Sequence, residues 1–518
     1  MGFLVLDEDY QSQTRAKIQA SQSPDGVLCG NLQCEITLPL LTNPPENRLA
    51  CHETGQDTAY VSGHISSRIH AWFSQLAAHA ATNSSTSVAP EGIALGMEMA
   101  PQSFDIYPEC DHRRYHSRRL HLHDPETLPV LPFVHKLSVE SAKCYDGLGD
   151  LYGLRPVSLL VPLQCIAALP NIHTLLLPWM WERPMPYAAP STPVREHYAR
   201  PWEGPLRDAR HDFGNAICDQ EKFLRGRRIP ASLKNALLHF WEPEQTSVED
   251  QSVARPDLIH PAGRDPVSVG LCRLAVHLER LDLRALVTED LFPGEGAEDR
   301  QWSSMQRLRI EFHPLRPDGM WYFVGPRGED PLRSVGSGDE REGGFRISET
   351  MDYPREYDTA EDQDIDEEFD EFPNGDSELD YLPDLFRTEP HRERVEPLLA
   401  RFAAAVATMT RLEDAEMFAH IWWTPSETRE KEYAGDAPYD KYSVHRWGVR
   451  YLAGRGGGDN GEGKTTSPVV QWQVGDWRPS TGVMALFEEL GTQEWLGFDF
   501  TEGRPKPTTD DAMRARLF

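Results

Sequence analysis

A short pattern, apolar-x-x-apolar-x-apolar, recurs along the chain and restricts its fold more than any other feature. It occurs at Val134/Leu137/Val139, Ile172/Leu175/Leu177, Leu233/Ala236/Leu238, Leu278/Leu281/Leu283, Met305/Leu308/Ile310 and Leu412/Ala415/Met417. Successive side chains of an extended strand point to opposite faces, so the apolar positions share one face and the residues between them take the other. Helical patterns lead into several of these strands. Pro156 to Leu169 carries Leu159, Leu160, Leu163, Ile166 and Leu169 ahead of Ile172. Asp265-Pro266 supplies an N-cap and a first-turn proline for a helix over Val267–Val276, ahead of Leu278. Glu389-Pro390 opens a longer helix holding Val395, Leu398, Leu399, Phe402, Ala405, Val406 and Met409, ahead of Leu412. Repeated helix–strand alternation predicts a parallel sheet with helices along its outer side.

The repeats are uneven. Their first positions are 38, 61, 45, 27 and 107 residues apart. A regular leucine-rich repeat has a period of roughly 20–29 residues, so the expected fold is a degenerate leucine-rich-repeat-like α/β solenoid with long interruptions. The largest interruption, 334–385, begins Gly-rich and charged. From Asp352 to Asp384 it then holds 15 Asp/Glu against a single Arg. Such a stretch repels itself and has little apolar surface to bury, which predicts a disordered acidic insertion. Upstream, residues 1–125 show little periodicity. They are expected to be poorly ordered apart from one amphipathic helix at 66–80, capped by Ser66 or Ser67, with a repeat domain over 126–518.

The chain's formal net charge of −30 disfavours nucleic acid and anionic membranes as partners. No apolar run approaches the roughly 18 residues of a membrane span. The 8 cysteines form no Cys-x-x-Cys pair and are too sparse for a disulfide scaffold in a chain of 518 residues. Reduced thiols in the cytoplasm or nucleus are the expectation.

Two segments have the letters of a chemical site. Gly458-Asp459-Asn460-Gly461-Glu462-Gly463-Lys464-Thr465 fits the phosphate-binding P-loop pattern, which must open a helix. Here Pro468 follows, and then Val469–Val474 has strand composition, as does Trp447–Leu452 before it. The segment therefore reads as a glycine-rich loop between two strands rather than a nucleotide site. Cys110, His112, His116, His121 and His123 are metal-ligand types. They lie among Arg113, Arg114, Arg118 and Arg119, which repel a cation, so a basic surface segment is expected. No Gly-x-Ser-x-Gly elbow or His-Glu-x-x-His occurs. No catalytic residue, cofactor or metal is assigned. Trp179, Trp181, Trp241, Trp321, Trp422 and Trp423 cluster after the strands, mostly as packing residues.

Several stretches resemble filamentous-fungal proteins with F-box and leucine-rich-repeat-like organisation. They are Leu169–Leu175, Phe386–Pro390, Val395–Met409 with Leu412–Ala415, Trp447–Tyr451 and Val470–Pro479, in matching order over roughly residues 120–500. The resemblance implies a substrate receptor whose F-box holds the Skp-type adaptor of a cullin ubiquitin ligase while the repeats hold a target protein. The chain departs from that pattern at its N-terminus, where Leu38-Pro39-Leu40-Leu41 lacks the acidic residue of an F-box start and Pro44-Pro45 follows. The expectation carried forward is a non-catalytic protein-interaction scaffold. Its open concave face would present Lys136, Ser138, Arg280, Asp282, Arg284, Arg307, Arg309 and Glu311.

Overall fold

The computed structural model describes residues 18, 28–39, 41–42, 54–82, 88–99, 104–105, 118–141, 155–178, 180, 203–241, 250–294, 301–330, 344–355, 360, 384–433, 443–454, 467–497 and 500–502. The chain divides into two units. One comprises Met1–Leu233 with Ser348–Tyr381, the other Lys234–Ile347 with Leu382–Phe518. Each is mixed α/β, with a largely parallel sheet and helices.

The first unit contains strands β1 (Leu28–Ile36), β2 (Leu41–Thr42), β3 (Val88–Met99), β4 (Phe104–Asp105), β5 (Val134–Ser141) and β6 (Thr174–Leu177). Its helices are α1 (Gly55–Thr82), α2 (Leu160–Ile166), α3 (Glu203–Cys218) and α4 (Gln220–Phe223). Strands β1, β3, β5 and β6 pair in that order, all parallel. Strands β2 and β4 form a separate parallel pair.

The N-terminal region is thus more structured than expected. Leu32, Cys34 and Ile36 are buried while Asn31, Gln33 and Glu35 are exposed, an alternation that makes β1 a half-buried strand. Helix α1 starts well before Ser66. Thr54 and Asp57 form a reciprocal cap: the Asp57 amide donates to Thr54 Oγ1 (3.1 Å) and the Thr54 amide to Asp57 Oδ2 (3.2 Å). Ser66 is consequently not a cap. It lies inside the helix, where its hydroxyl donates to the Ser62 carbonyl (2.6 Å) and accepts from the His123 amide (2.8 Å). Ile65, Ile69, Trp72, Phe73 and Leu76 form the buried face of α1.

The second unit contains β7 (Asn235–His239), β8 (Arg280–Ala285), β9 (Arg307–Phe312), β10 (Phe323–Val324), β11 (Glu389–Pro390), β12 (Asp414–Trp423), β13 (Ser443–Leu452), β14 (Val469–Gln473), β15 (Thr492–Trp495) and β16 (Phe500–Glu502). Its helices are α5 (Pro266–Leu274), α6 (Arg392–Thr408), α7 (Glu427–Glu432) and α8 (Thr481–Glu488). Strands β7, β8, β9 and β12 are parallel neighbours. Strand β13 then runs antiparallel to β12, β14 antiparallel to β13, and β15 parallel to β14; β16 also pairs with β13. Strands β10 and β11 form a short antiparallel pair. The predicted start of α5 is observed: the Asp265 side chain accepts from the Ser268 amide (3.0 Å), with Pro266 in the first turn. Helices α6 and α8 meet the apolar side of the sheet through aromatics. The Phe402 ring lies 6.3 Å from Phe487, and Phe487 lies 4.6 Å from Trp472 of β14.

Every occurrence of the sequence motif is built alike. Its first residue closes a turn by donating its amide to the carbonyl three residues earlier: Val134 to Leu131, Ile172 to Leu169, Leu233 to Pro230, Leu278 to Ala275, Met305 to Trp302 and Leu412 to Met409. The next residue bonds to its counterpart in the neighbouring repeat. His173 donates to His135 (2.7 Å), Glu279 to Lys234 (2.7 Å), Gln306 to Glu279 (2.7 Å) and Glu413 to Gln306 (2.8 Å). The central apolar residues then fall opposite one another. Leu95, Leu137 and Leu175 align in the first unit, and Ala236, Leu281, Leu308 and Ala415 in the second. All seven are buried, because a one-residue slip would carry each apolar set to the polar face.

Part of the predicted insertion is built into the fold. The Phe345 amide donates to the Arg255 carbonyl (2.9 Å) in the second unit. In the first unit the Gly204 amide donates to the Asp352 carbonyl (2.8 Å), and Tyr353 donates its hydroxyl to Asp208 Oδ2 (2.6 Å). The Tyr353 ring occupies the space where a Cβ on Gly204 would stand, 2.3 Å from its Cε2. Expected disorder therefore fails for 344–355, where an aromatic anchor and backbone bonds outweigh the charge. Residues 331–343 and 361–383 lie outside the described residues.

Candidate functional site

The residues between the apolar positions collect on one face of each sheet, and the two units use that face differently. In the second unit the register sets Arg280 beside Arg307, Asp282 beside Arg309 and Arg284 beside Glu311. Strand β12 adds Asp414, Glu416 and Phe418 opposite Arg307, Arg309 and Glu311. Strand β13 adds Arg446 and Arg450.

These groups neutralise one another. Arg284 Nε is 2.9 Å from Glu311 Oε2 and its Nη1 is 3.3 Å from His239 Nδ1. Since that nitrogen accepts from a guanidinium, the His239 proton sits on Nε2 and is donated to Asp282 Oδ1 at 3.0 Å. Arg309 Nη1 also reaches Asp282 Oδ1 (3.1 Å), and its Nη2 approaches Glu311 Oε2 (3.6 Å). Arg309 Nε lies 3.2 Å from Glu416 Oε1, and Arg446 Nη2 donates to Glu416 Oε2 (2.6 Å). Arg450 grips Asp414 with two nitrogens, at 2.9 and 2.5 Å. Phe418 lies between two guanidinium groups, with Arg446 at 3.9 Å and Arg309 at 4.9 Å from its ring centre. It fits because its partner in register is Gly448, where a Cβ would stand 2.5 Å from that of Phe418.

Burial and the neighbouring charges together set the protonation states. Burial would raise the Glu311 carboxyl, but Arg284, His420 and Arg309 outweigh it and hold the group down at about 2. The Asp282 carboxyl is depressed in the same way, against its burial, by Arg309, His239 and Arg284. Burial, then Arg284, lowers His239; burial lowers His420, whose Nδ1 has no hydrogen-bond partner. On the apolar face burial pushes His445 down to about 4. The result is an internally paired lattice with neutral histidines.

This corrects the expected open face at three positions. Asp282, Arg284 and Glu311 are 4%, 1% and 2% exposed, because each has its counter-charge on the adjacent strand and needs no solvent. Arg280, Arg307 and Arg309 are partly exposed, and Arg307 reaches Glu413 at 3.4 Å. Sequence reasoning missed His239, Glu416, Arg446 and Arg450. His239 and Glu416 occupy the same positions within their repeats as named residues, a legible signal; Arg446 and Arg450 lie on an antiparallel strand outside the repeat.

In the first unit that face is partly exposed among the described residues, with the Gln33 side chain lying over Gly96. Asn31, Gln33 and Glu35 on β1 are exposed; Ala94 and Glu98 on β3 and Lys136, Ser138 and Glu140 on β5 are partly so. Lys136 pairs with Ala94 and Thr174, and Ser138 with Gly96 and Leu176, so these two predicted residues share a face and sit in adjacent rows. Parallel sheets are ordinarily covered on both sides.

The segments with chemical letters fall largely outside the described residues. Gly458–Thr465, Cys110, His112 and His116 lie outside the described residues. Strands β13 and β14 on either side of the glycine-rich segment pair antiparallel, and the residues that follow it enter a strand where a P-loop requires a helix. Among the described residues no group of three or more His, Cys, Asp or Glu is arranged to hold a metal ion, and no helix is long and apolar enough to cross a membrane. Of the tryptophans, Trp241, Trp321 and Trp423 are buried, Trp422 is partly so, and Trp179 and Trp181 lie outside the described residues. No protein-family model, curated protein or solved structure matches this chain.

Proposed function

We propose that the protein is a non-catalytic protein-interaction scaffold of degenerate leucine-rich-repeat type. What carries this reading is the partly exposed polar face of the parallel strands β1, β3 and β5, opposite buried Leu32, Cys34, Leu95, Met97, Leu137 and Val139. A fixed array of polar and charged side chains on a stiff sheet suits a protein surface or segment. The repeat-to-repeat backbone bonds support the solenoid aspect, since each turn–strand unit buries its apolar side only by stacking on a neighbour. The paired lattice of the second unit acts as a rigid register lock, so the contact surface lies in the first unit.

The test is affinity purification of the full chain with mass spectrometry, comparing wild type with Ser138→Trp and Lys136→Glu. Both substitutions alter the open face and leave the apolar face untouched. Specific protein partners lost with either variant are the expected result. A partner set that ignores both variants removes the face from the account, and recovery of a Skp-type adaptor would mark the scaffold as a ubiquitin-ligase receptor.

A further inference from the structure

Strand β15 ends the row of strands in the second unit. It pairs with β14 and, among the described residues, with no other strand. The ladder fixes which of its backbone groups are used. The Thr492 amide donates to the Pro468 carbonyl (2.9 Å) and the Leu496 amide to the Trp472 carbonyl (2.8 Å). Backbone groups of successive strand residues point to opposite sides, so the N–H and C=O of Gln493 and Trp495 face away from β14. Such a row is a template for one further strand.

The edge is stiff and apolar. Trp472 Nε1 donates to Gln493 Oε1 (2.7 Å), and Gln493 Nε2 donates to the Phe487 and Gly491 carbonyls (both 2.8 Å). The Trp495 ring stacks on Trp472, 5.4 Å between centres and 13° between planes, and carries the Arg478 guanidinium 3.8 Å from its ring centre. A strand already ordered in this way loses little freedom when another joins it. Of the six large apolar side chains exposed among the described residues, Leu486, Trp495 and Leu496 lie on β15, just after it and on the helix packed beside it. Edge strands are commonly protected by Lys, Pro or a bulge; β15 has none of these.

We propose that β15 takes up an extended segment of a partner protein as an added antiparallel strand, with apolar residues opposite Gln493 and Trp495 and a Lys or Arg opposite Glu494. The site is separate from the polar face of the first unit and stands without it. In an antiparallel pair Gln493 and Trp495 take the hydrogen-bonded positions. Glu494 takes the closer position between them, where opposed Cα atoms are about 4.5 Å apart and side chains meet. Glu494 is exposed, its carboxylate accepts from the neutral Gln471 side chain (2.9 Å), and no Lys or Arg among the described residues pairs with it. A basic residue therefore fits opposite it. The same geometry disfavours a second copy of this chain: the register that uses both outward residues, Gln493 against Trp495, sets Glu494 against Glu494.

The experiment uses the full chain and two fluorescein-labelled nonapeptides, one alternating Val with Lys and one alternating Val with Glu, read by fluorescence anisotropy. Wild type should bind the Lys peptide more tightly, and hydrogen exchange over 492–496 should slow in the complex. Glu494→Lys should cut the preference for Lys over Glu about fivefold, since one cross-strand attraction becomes a repulsion, while Glu432→Lys, an equal charge change on an exposed helix, should alter it less than twofold. Trp495→Pro removes an outward N–H without touching the β14 ladder and should abolish binding; Trp495→Val keeps that N–H and should retain it. No binding by wild type, equal effects of the two lysine variants, or full binding by Trp495→Pro overturns the proposal. So does self-association of wild type that Trp495→Pro abolishes, which makes a second copy the occupant, or binding seen only once residues 503–518 are deleted, which makes that segment the occupant. None of these results bears on the polar face of the first unit.

Discussion

Removing Arg284 alone should be far more damaging than removing it together with Glu311. In Arg284→Met the Glu311 carboxylate, 2% exposed, loses its 2.9 Å partner. Leaving one member of a buried ion pair uncompensated costs about 3–5 kcal/mol. Arg309 Nη2 remains 3.6 Å from the same oxygen, which places the expected loss near the lower end, about 3 kcal/mol. For a unit of this size that corresponds to a fall in Tm of roughly 6–12 °C. The double variant Arg284→Met/Glu311→Leu exchanges the pair for apolar groups of similar volume, and such exchanges are often neutral. It should therefore recover most of the loss, even with His239 Nδ1 deprived of its donor. Urea titration followed by tryptophan fluorescence reads chiefly the second unit, which buries Trp302, Trp423, Trp447 and Trp472, while the first unit contributes Trp72. A single-variant loss under about 1 kcal/mol, or a double variant as unstable as the sum of the singles, would refute the claim that the lattice is held by mutual charge pairing.

Acid should loosen the second unit in a defined window. The His445 imidazole is held at about 4 in the fold against 6.5 when free, so the unfolded chain takes up the proton first. Stability is complete above 6.5 and falls as the pH drops toward 4, by about 3 kcal/mol from this group. His239 and His420 are lowered too and add in the same direction. His445→Leu should flatten the pH 4–6.5 limb of the stability profile, and an unchanged limb would count against the assignment. Gly448→Ala should cost about 1–3 kcal/mol, since its new methyl would stand 2.4 Å from the Met417 carbonyl oxygen; a melt equal to wild type would contradict the close strand packing there. Gly204→Ala should displace the Tyr353 ring and expose 348–355 to limited proteolysis, whereas an unaltered cleavage pattern would show that this ring does not anchor the segment.

Much of the frame was legible from alternation alone. Val134/Leu137/Val139 and its five counterparts marked strands, and Asp265-Pro266 marked a helix start, because local periodicity and capping chemistry act over a few residues. The N-terminal strands carried the same signal in weaker form: Leu32, Cys34 and Ile36 alternate with Asn31, Gln33 and Glu35, but one isolated alternation among polar residues is easily taken for loop. Thr54 and Asp57 held the cap that fixes the start of α1 twelve residues before the serine expected to do so.

The sequence by itself determined which side of each strand is apolar, since that depends only on parity along the chain. Whether the polar side opens to solvent was decided by the tertiary structure. Register brings Asp282 to Arg309 and Arg284 to Glu311 across a separation of 27 residues, and it aligns Glu35, Glu98 and Glu140 from strands with no sequence relation. Coulomb interaction depends on distance in space, so the same kind of residue closes one face by pairing while the other stays partly exposed.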